Sequence, residues 1–314
     1  MEPLSLRRAA CDKGLRFLLY AAAALVCVLL VGLIGLIFLR GLPNLTWGML
    51  TSEPSVIRDV IGILPNIINT VLLVVGTLAI VLPLGVGAAI YLTEYAANRK
   101  LVSLIEFATE TLSGIPSILY GLVGMLFFCQ KLGWGSSIRA GILTLVIMIL
   151  PTIVRTTQES LKTVPQSYRE AALGLGSGKW RMIRTVVLPS SVDGIVTGCI
   201  LSVGRIVGES AALLYTAGSA SVLVGSVGSF LPQAHAAIAA GEISALIPAP
   251  LAAFGLWLGK LFGTGGGSLS VSLYMYSMER GKIEVGFAIA SILLLLTLLI
   301  NLTAKLVGRK LRRS

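Results

Sequence analysis

The chain has 314 residues, 55% of them hydrophobic and 12% charged, with a formal net charge of +11 and a mean hydropathy of +0.91. Soluble domains carry about 25% charged residues, so these values exclude a soluble fold and indicate a polytopic α-helical membrane protein. In such a protein the basic excess marks loops on one side of the membrane rather than a nucleic-acid partner.

The first element follows Arg7, Arg8, Lys13 and Arg16. Residues 15–39 are too long for a signal-peptide core of about 7–15 residues and no A-x-A site follows. They read as a retained spanning helix, because ~20 apolar residues cross the hydrocarbon layer. Five further spans are predicted at 67–92, 107–129, 138–156, 192–216 and 285–307. Asn66, Asn69 and Thr70 open the second span, where they either line a path or hydrogen-bond between helices. The third contains SGIPSILYGL (113–122), in which Pro116 predicts a kink beside Ser117 and Tyr120. Such a kink either faces a path or only shapes the bundle. Glu106 and Glu110, one turn apart, read as solvated or paired with Arg99 or Lys100.

Residues 157–190 follow the fourth span. They contain Gly178-Lys179 but no phosphate-binding loop: Leu173 stands where its first glycine belongs, and Trp180 where the Mg²⁺-binding hydroxyl belongs. Pro165 opens a predicted helix over 167–173 that Gly174 and Gly176 end, and a second helix over 179–187 leads to Pro189. Ala171 and Ala172 would let another protein approach closely, and Glu170 offers an ion-pair partner. The alternative is an amphipathic connector with no partner.

The fifth span holds GRIVGESAALLYTAGSA (204–220). Arg205 and Glu209 are four apart, which predicts one helix face. An ionised side chain at bilayer depth is costly and faces a partner or a watery path. The pair is either a self-neutralising ion pair, or Arg205 lines an anion path with Glu209 restraining it. A guanidinium grips a tetrahedral oxyanion through two parallel hydrogen bonds, and Gly204 and Gly208 permit close approach. Residues 217–284 are Gly-rich (219–229 and 263–270) around an apolar piece, 243–262, that Pro248 and Pro250 interrupt. It is expected to be an external re-entrant or interfacial segment. With the N-terminus inside, the inside segments carry seventeen of the 25 Lys and Arg and the outside segments seven, which predicts both termini in the cytoplasm. Cys11, Cys27, Cys129 and Cys199 form no C-x-x-C pair and read as small hydrophobes. The single histidine, His235, makes no metal site, and a membrane-embedded enzyme would need a nucleophile–base pair or a metal cluster.

Glu170-Ala171-Ala172, three residues, Gly176, nine residues, Val186, then Leu188-Pro189 resembles the EAA loop of ABC importer permeases. PLGVGAAIYLTEYA (83–96), SGIPSILYGL, GRIVGESAALLYTAGSA and LYMYSMERG (273–281) together resemble the phosphate importer permeases of the PstA type. The resemblance covers most of residues 60–220 and resumes at 273–281 and the last span. It implies an all-α transmembrane bundle of six spans with type I ABC importer permease architecture. Residues 1–60 would be an N-terminal segment, first span and external loop, 61–307 the transporter domain, and 308–314 a basic cytoplasmic tail. Glu170, Ala171, Ala172, Gly176, Leu188 and Pro189 would couple to an ATPase, and Arg205, Glu209, Ser210 and Ser117 would line the substrate path. The implied substrate is inorganic phosphate, or else another oxyanion such as sulfate or molybdate. No catalytic residue, metal or cofactor is expected on this chain; ATP and Mg belong to partner subunits. The implied partners are a second permease of the same fold, two ATPase subunits, an extracytoplasmic phosphate-binding protein and membrane lipid, at a bacterial or archaeal plasma membrane. Residues 225–265 are longer than the family's usual external loop.

Overall fold

The computed structural model describes residues 6–55, 60–220, 227–240 and 248–313, and among these only a lone Ser55–Val60 bridge is extended pairing. Arg58 and residues 221–226 and 243–247, all counted above toward external segments, lie outside the described residues. Helices α1 (Leu6–Gly41), α2 (Trp47–Thr51), α3 (Leu64–Ile90), α4 (Arg99–Ser113), α5 (Ser117–Gly124), α6 (Ile138–Thr163) and α7 (Gln166–Gly174) make up the first half. Helices α8 (Lys179–Met182), α9 (Leu188–Gly208), α10 (Ala211–Thr216), α11 (Leu231–Ala239), α12 (Ala249–Gly263), α13 (Leu269–Tyr274) and α14 (Ile283–Arg313) make up the second. Five helices are long and apolar enough to cross a membrane, and a sixth crossing arises if the bent pair α4–α5 counts as one span.

The bundle is built around α6, whose apolar window is 67% buried against 28% for α3, α9 and α14. Small residues allow this. A methyl group at Gly76 or Gly85 of α3, or at Gly194 or Gly198 of α9, would overlap Ile142, Ile153, Ser160 or Thr156 of α6. Leu73, Val81, Leu145, Met148, Ile149, Val203 and Ile206 fill the resulting core. By contrast α1 packs mainly on α14 and near its own C-terminus, where Gly41 lies against Phe287 and Ser291 and the Ser291 hydroxyl donates to the Ile37 carbonyl at 3.1 Å. Because crossings alternate, α7–α8, the start of α1 and the end of α14 share one end of the bundle, here the loop end.

Several expectations change. The third span is not one kinked helix: α4 and the segment Ser117–Lys131 meet at 96°. Arg99, Lys100, Glu106 and Glu110 make α4 too polar to cross hydrocarbon by itself, and it packs on α6. Glu106 and Glu110 pair across to α6 instead of with Arg99 or Lys100, Lys162–Glu106 at 3.0 Å and Arg155–Glu110 at 3.1 Å. Both pairs are exposed, so solvent screens them and they add little to stability.

The fifth span is interrupted at Glu209–Ser210, and at its other end the second loop helix does not stop before Pro189: Lys179–Gly208 is continuous. A π-helical stretch, Ile183–Val187, precedes Pro189; the wider turn accommodates the missing N–H donor. Pro248 and Pro250 start α12, as N-cap and first-turn residue, so the helix within the apolar piece begins only at these prolines. Its 15 residues fall short of a span and pair with α11 around Phe230, Ala234, Ala252 and Ala253.

Part of 217–284 returns into the bundle. Gly266 to Ser272 are buried. The segment is tied in by Ile138 N–H to Thr264 O at 3.0 Å and Gly266 N–H to Ala217 O at 2.9 Å. Asn66 and Asn69 both donate to Gly267 O, at 2.9 and 3.4 Å, and Leu269 N–H donates to the Thr70 hydroxyl at 2.9 Å. These three residues therefore satisfy a re-entrant backbone that would otherwise be orphaned in the apolar interior. Of the two readings of Asn66, Asn69 and Thr70, this is the one in which they bond between segments.

Candidate functional site

Two interrupted helices meet inside the bundle. The first is α5, which Pro116 starts and Ser117 opens. The second is α10, which begins after the break at Glu209–Ser210. They pack through Gly121, where a Cβ would lie 2.6 Å from the Cα of Ala212, and through Gly124, where it would meet Thr144 and Thr216. Ile118, Ser210, Ala211, Tyr215, Val271 and Tyr274 line a cavity of about 220 Å³ at this junction. Broken helices at membrane depth expose polar backbone only where protein or a watery cavity surrounds it.

The structure separates the charged residues that the spacing paired. Helix α9 ends at Gly208, and Glu209 has extended backbone at φ −76° and ψ 118°. The four-residue face rule therefore fails between Arg205 and Glu209, and among the described residues the two form no ion pair. Glu209 is buried, and its carboxylate accepts the Ala212 N–H at 3.0 Å. That satisfies an otherwise orphaned donor at the start of α10. Its carbonyl accepts the Ser270 hydroxyl at 2.6 Å. Arg205 stays partly buried one turn back, within electrostatic range of Tyr120, whose hydroxyl donates to Leu112 O at 2.7 Å across the α4–α5 elbow. Ser210 reaches the junction cavity; Ser117 opens the helix whose next residue, Ile118, lines it.

The second assembly is at the loop end. A turn joins α7 to α8, and Gly176 takes φ +79° there, the left-handed conformation glycine tolerates. Ala172 and Leu188 pack inward on a cluster of Ala89, Ile90, Leu161, Val164, Met182, Ile183 and Val187. Glu170 and Ala171 face outward. So do Tyr168, Leu173, Leu175 and Trp180; Leu175 is 90% exposed. Pro189 is exposed beside them. Four large apolar side chains on a polar loop form a patch of the kind that marks a protein contact.

Sequence reasoning missed what fastens this loop. Arg169 donates to one oxygen of Glu94 through Nη2 at 2.9 Å and Nε at 3.1 Å, and to the carbonyls of Leu161 and Val164 at 2.8 and 2.6 Å. The side chains are 12% and 7% exposed, and removing one member of such a buried pair costs about 3–5 kcal/mol. The only signals were an acid at the end of the second span and an arginine beside Glu170, on segments far apart in the chain.

The profile of the family described as the binding-protein-dependent transport system inner membrane component matches residues 81–313. The chain belongs to this family. As an ABC importer permease it is a transport component and not an enzyme; ATP hydrolysis resides on separate ATPase subunits, and the transport system includes a substrate-binding protein. The permease is 40% identical over 196 residues to the probable ABC transporter permease YqgI of Bacillus subtilis, covering 62% of this chain and 67% of that one. It is 39% identical over 203 residues to the phosphate transport system permease PstA 2 of Mycobacterium tuberculosis, covering 62% and 66%. With PstA of Yersinia pestis it is 40% identical over 159 residues, 49% and 52% of the two chains. The matches thus span about two thirds or less of these relatives' lengths, and they place the permease with the PstA type. Among solved structures, a bacterial ABC transporter importing the polysaccharide alginate superposes with a TM-score of 0.59 at 14% identity, over 96% of this chain and 99% of that one. The inward-facing MetNI methionine transporter gives 0.54 at 20%, over 83% and 99%. These two share the fold.

Proposed function

We propose that the permease moves inorganic phosphate across a bacterial or archaeal plasma membrane, with α7 seated on a cytoplasmic ATPase and both termini in the cytoplasm. The observation that carries the substrate reading is Arg205. Its carboxylate neighbour is engaged on Ala212 N–H, so the guanidinium keeps its positive charge in the last turn of α9, within electrostatic range of Tyr120 on α5. A phosphate oxyanion supplies the two acceptors such a fork binds. The second carboxylate oxygen of Glu209 is the acceptor to which protonated phosphate donates and sulfate cannot. Ser210 and Ser117 supply hydroxyls along the same route. The PstA names of relatives such as those of Mycobacterium tuberculosis and Yersinia pestis support phosphate over sulfate or molybdate.

The coupling reading rests on the outward Glu170 and Ala171 and on the exposed apolar patch beside them. In this reading a second permease of the same fold completes the pathway, two ATPase subunits with ATP and Mg drive it, and an extracytoplasmic phosphate-binding protein delivers the ion. The test is ATP-driven uptake of labelled phosphate into vesicles holding the whole complex. Excess unlabelled phosphate is expected to abolish uptake while excess sulfate or molybdate leaves it. Block by sulfate, but not by phosphate, would overturn the reading.

A further inference from the structure

The α7 segment is held by chemistry that its outward face does not need. Arg169 sits one residue before the exposed Glu170, yet it points inward, and its donors are spent on two other elements. Glu94 lies in the π-helical turn Tyr91–Tyr95 that extends α3. Leu161 is in the last turn of α6, and Val164 is its C-cap, so the guanidinium also satisfies carbonyls that the helix end leaves open. The neighbouring Lys179, which opens α8, places its ammonium 4.8 Å from the centroid of the Tyr95 ring, a second contact from the loop to the same turn. Lys162, Gln166, Leu173 and Met182 complete the cleft around these groups.

At its other end the same α3 carries Asn66, Asn69 and Thr70, which hold Gly267 and Leu269. The residue after Leu269, Ser270, donates to the Glu209 carbonyl at the break between α9 and α10. One continuous helix, Leu64–Tyr95 with Pro83 inside it, is therefore keyed to the loop at one end by a buried ion pair, and to the broken-helix site at the other by buried hydrogen bonds. Packed helices of this kind shift as units instead of deforming.

We propose that Arg169 and Glu94 are positioning residues that lock α7 to α3, so that displacement of α7 is carried along α3 to Gly267–Ser270 and the Glu209 break. The proposal rests on α7 being the segment an ATPase grips, and it adds which helix takes up the motion and which side chains join them.

The experiment measures phosphate uptake and ATP hydrolysis in the same vesicles, using the whole importer purified through its ATPase. Arg169→Ala and Glu94→Gln are each expected to let hydrolysis continue while phosphate moved per ATP falls about five- to tenfold, a coupling loss of ordinary size. The exchange Glu94→Arg with Arg169→Glu is expected to recover part of the ratio. At the far end Asn66→Ala with Thr70→Val is expected to lower the ratio and to add little to Arg169→Ala. Arg169→Lys, which keeps the charge but loses the fork, serves where the alanine variant does not assemble, and a lowered ratio is expected there too. Unchanged phosphate per ATP in Arg169→Lys and Glu94→Gln would overturn the lock. Full additivity between the two ends would overturn transmission along α3. Loss of uptake in Glu170→Lys with normal Arg169 variants would refute this inference and leave the coupling reading standing, whereas no ATP-driven uptake by the unaltered complex would overturn both.

Discussion

Arg205 and Glu209 show how much one backbone break changes. Four residues apart on a continuous helix they would neutralise each other; with α9 ended at Gly208, the carboxylate caps α10 and the guanidinium keeps its field. Losing a charge-assisted contact worth about 1.5–3 kcal/mol, Arg205→Gln should lower phosphate uptake by about 10- to 100-fold while the complex still assembles. Normal uptake with normal complex yield would remove Arg205 from the path. Gly121 is a second residue-scale test. A larger side chain there meets the Ala212 backbone at 2.6 Å, and backbone cannot swing aside. Gly121→Leu should destabilise the fold by about 1–3 kcal/mol, the usual cost of overpacking, read as a lowered thermal midpoint of the detergent-solubilised chain. An unchanged midpoint would mean that α5 and α10 do not pack as described.

At the scale of elements, the α7–α8 turn was the most legible piece. Pro165, Gly174, Gly176 and the apolar positions mark its two helices, and the structure differs from the expected limits by a residue or two at α7. Gly176→Val forces a β-branched residue to φ +79°, a strain of about 1–2 kcal/mol. It should therefore weaken capture of the ATPase, measured as its yield per permease in a pull-down. Equal yield would show that the turn's shape is immaterial to docking. The third and fifth spans were misread for one reason. Hydropathy averages over a window, and a window does not register a corner: Pro116 marked a kink but not 96°, and nothing in the spacing announced that Glu209 leaves the helix. The Glu94–Arg169 pair escaped because its members are on separate elements, and only the folded bundle brings them together. The buried segment 266–272 escaped because glycines and serines read as loop, whereas here their small size admits them between helices.

For the whole molecule, composition and the positions of the apolar runs were enough to establish a helical membrane bundle, since little else places 55% hydrophobic residues in runs of spanning length. The motifs established the family, which the profile over residues 81–313 confirms. The cytoplasmic placement of α7 is a proposal drawn from the basic loops, and that orientation decides whether α7 can meet an ATPase at all. The most direct test is a photoreactive crosslinker placed at Glu170 in cells expressing the full transport system. The account predicts capture of the nucleotide-hydrolysing subunit on illumination, at the residue next to Arg169. Capture of an extracytoplasmic protein instead, or labelling of that position by a reagent that does not cross the membrane, would contradict it.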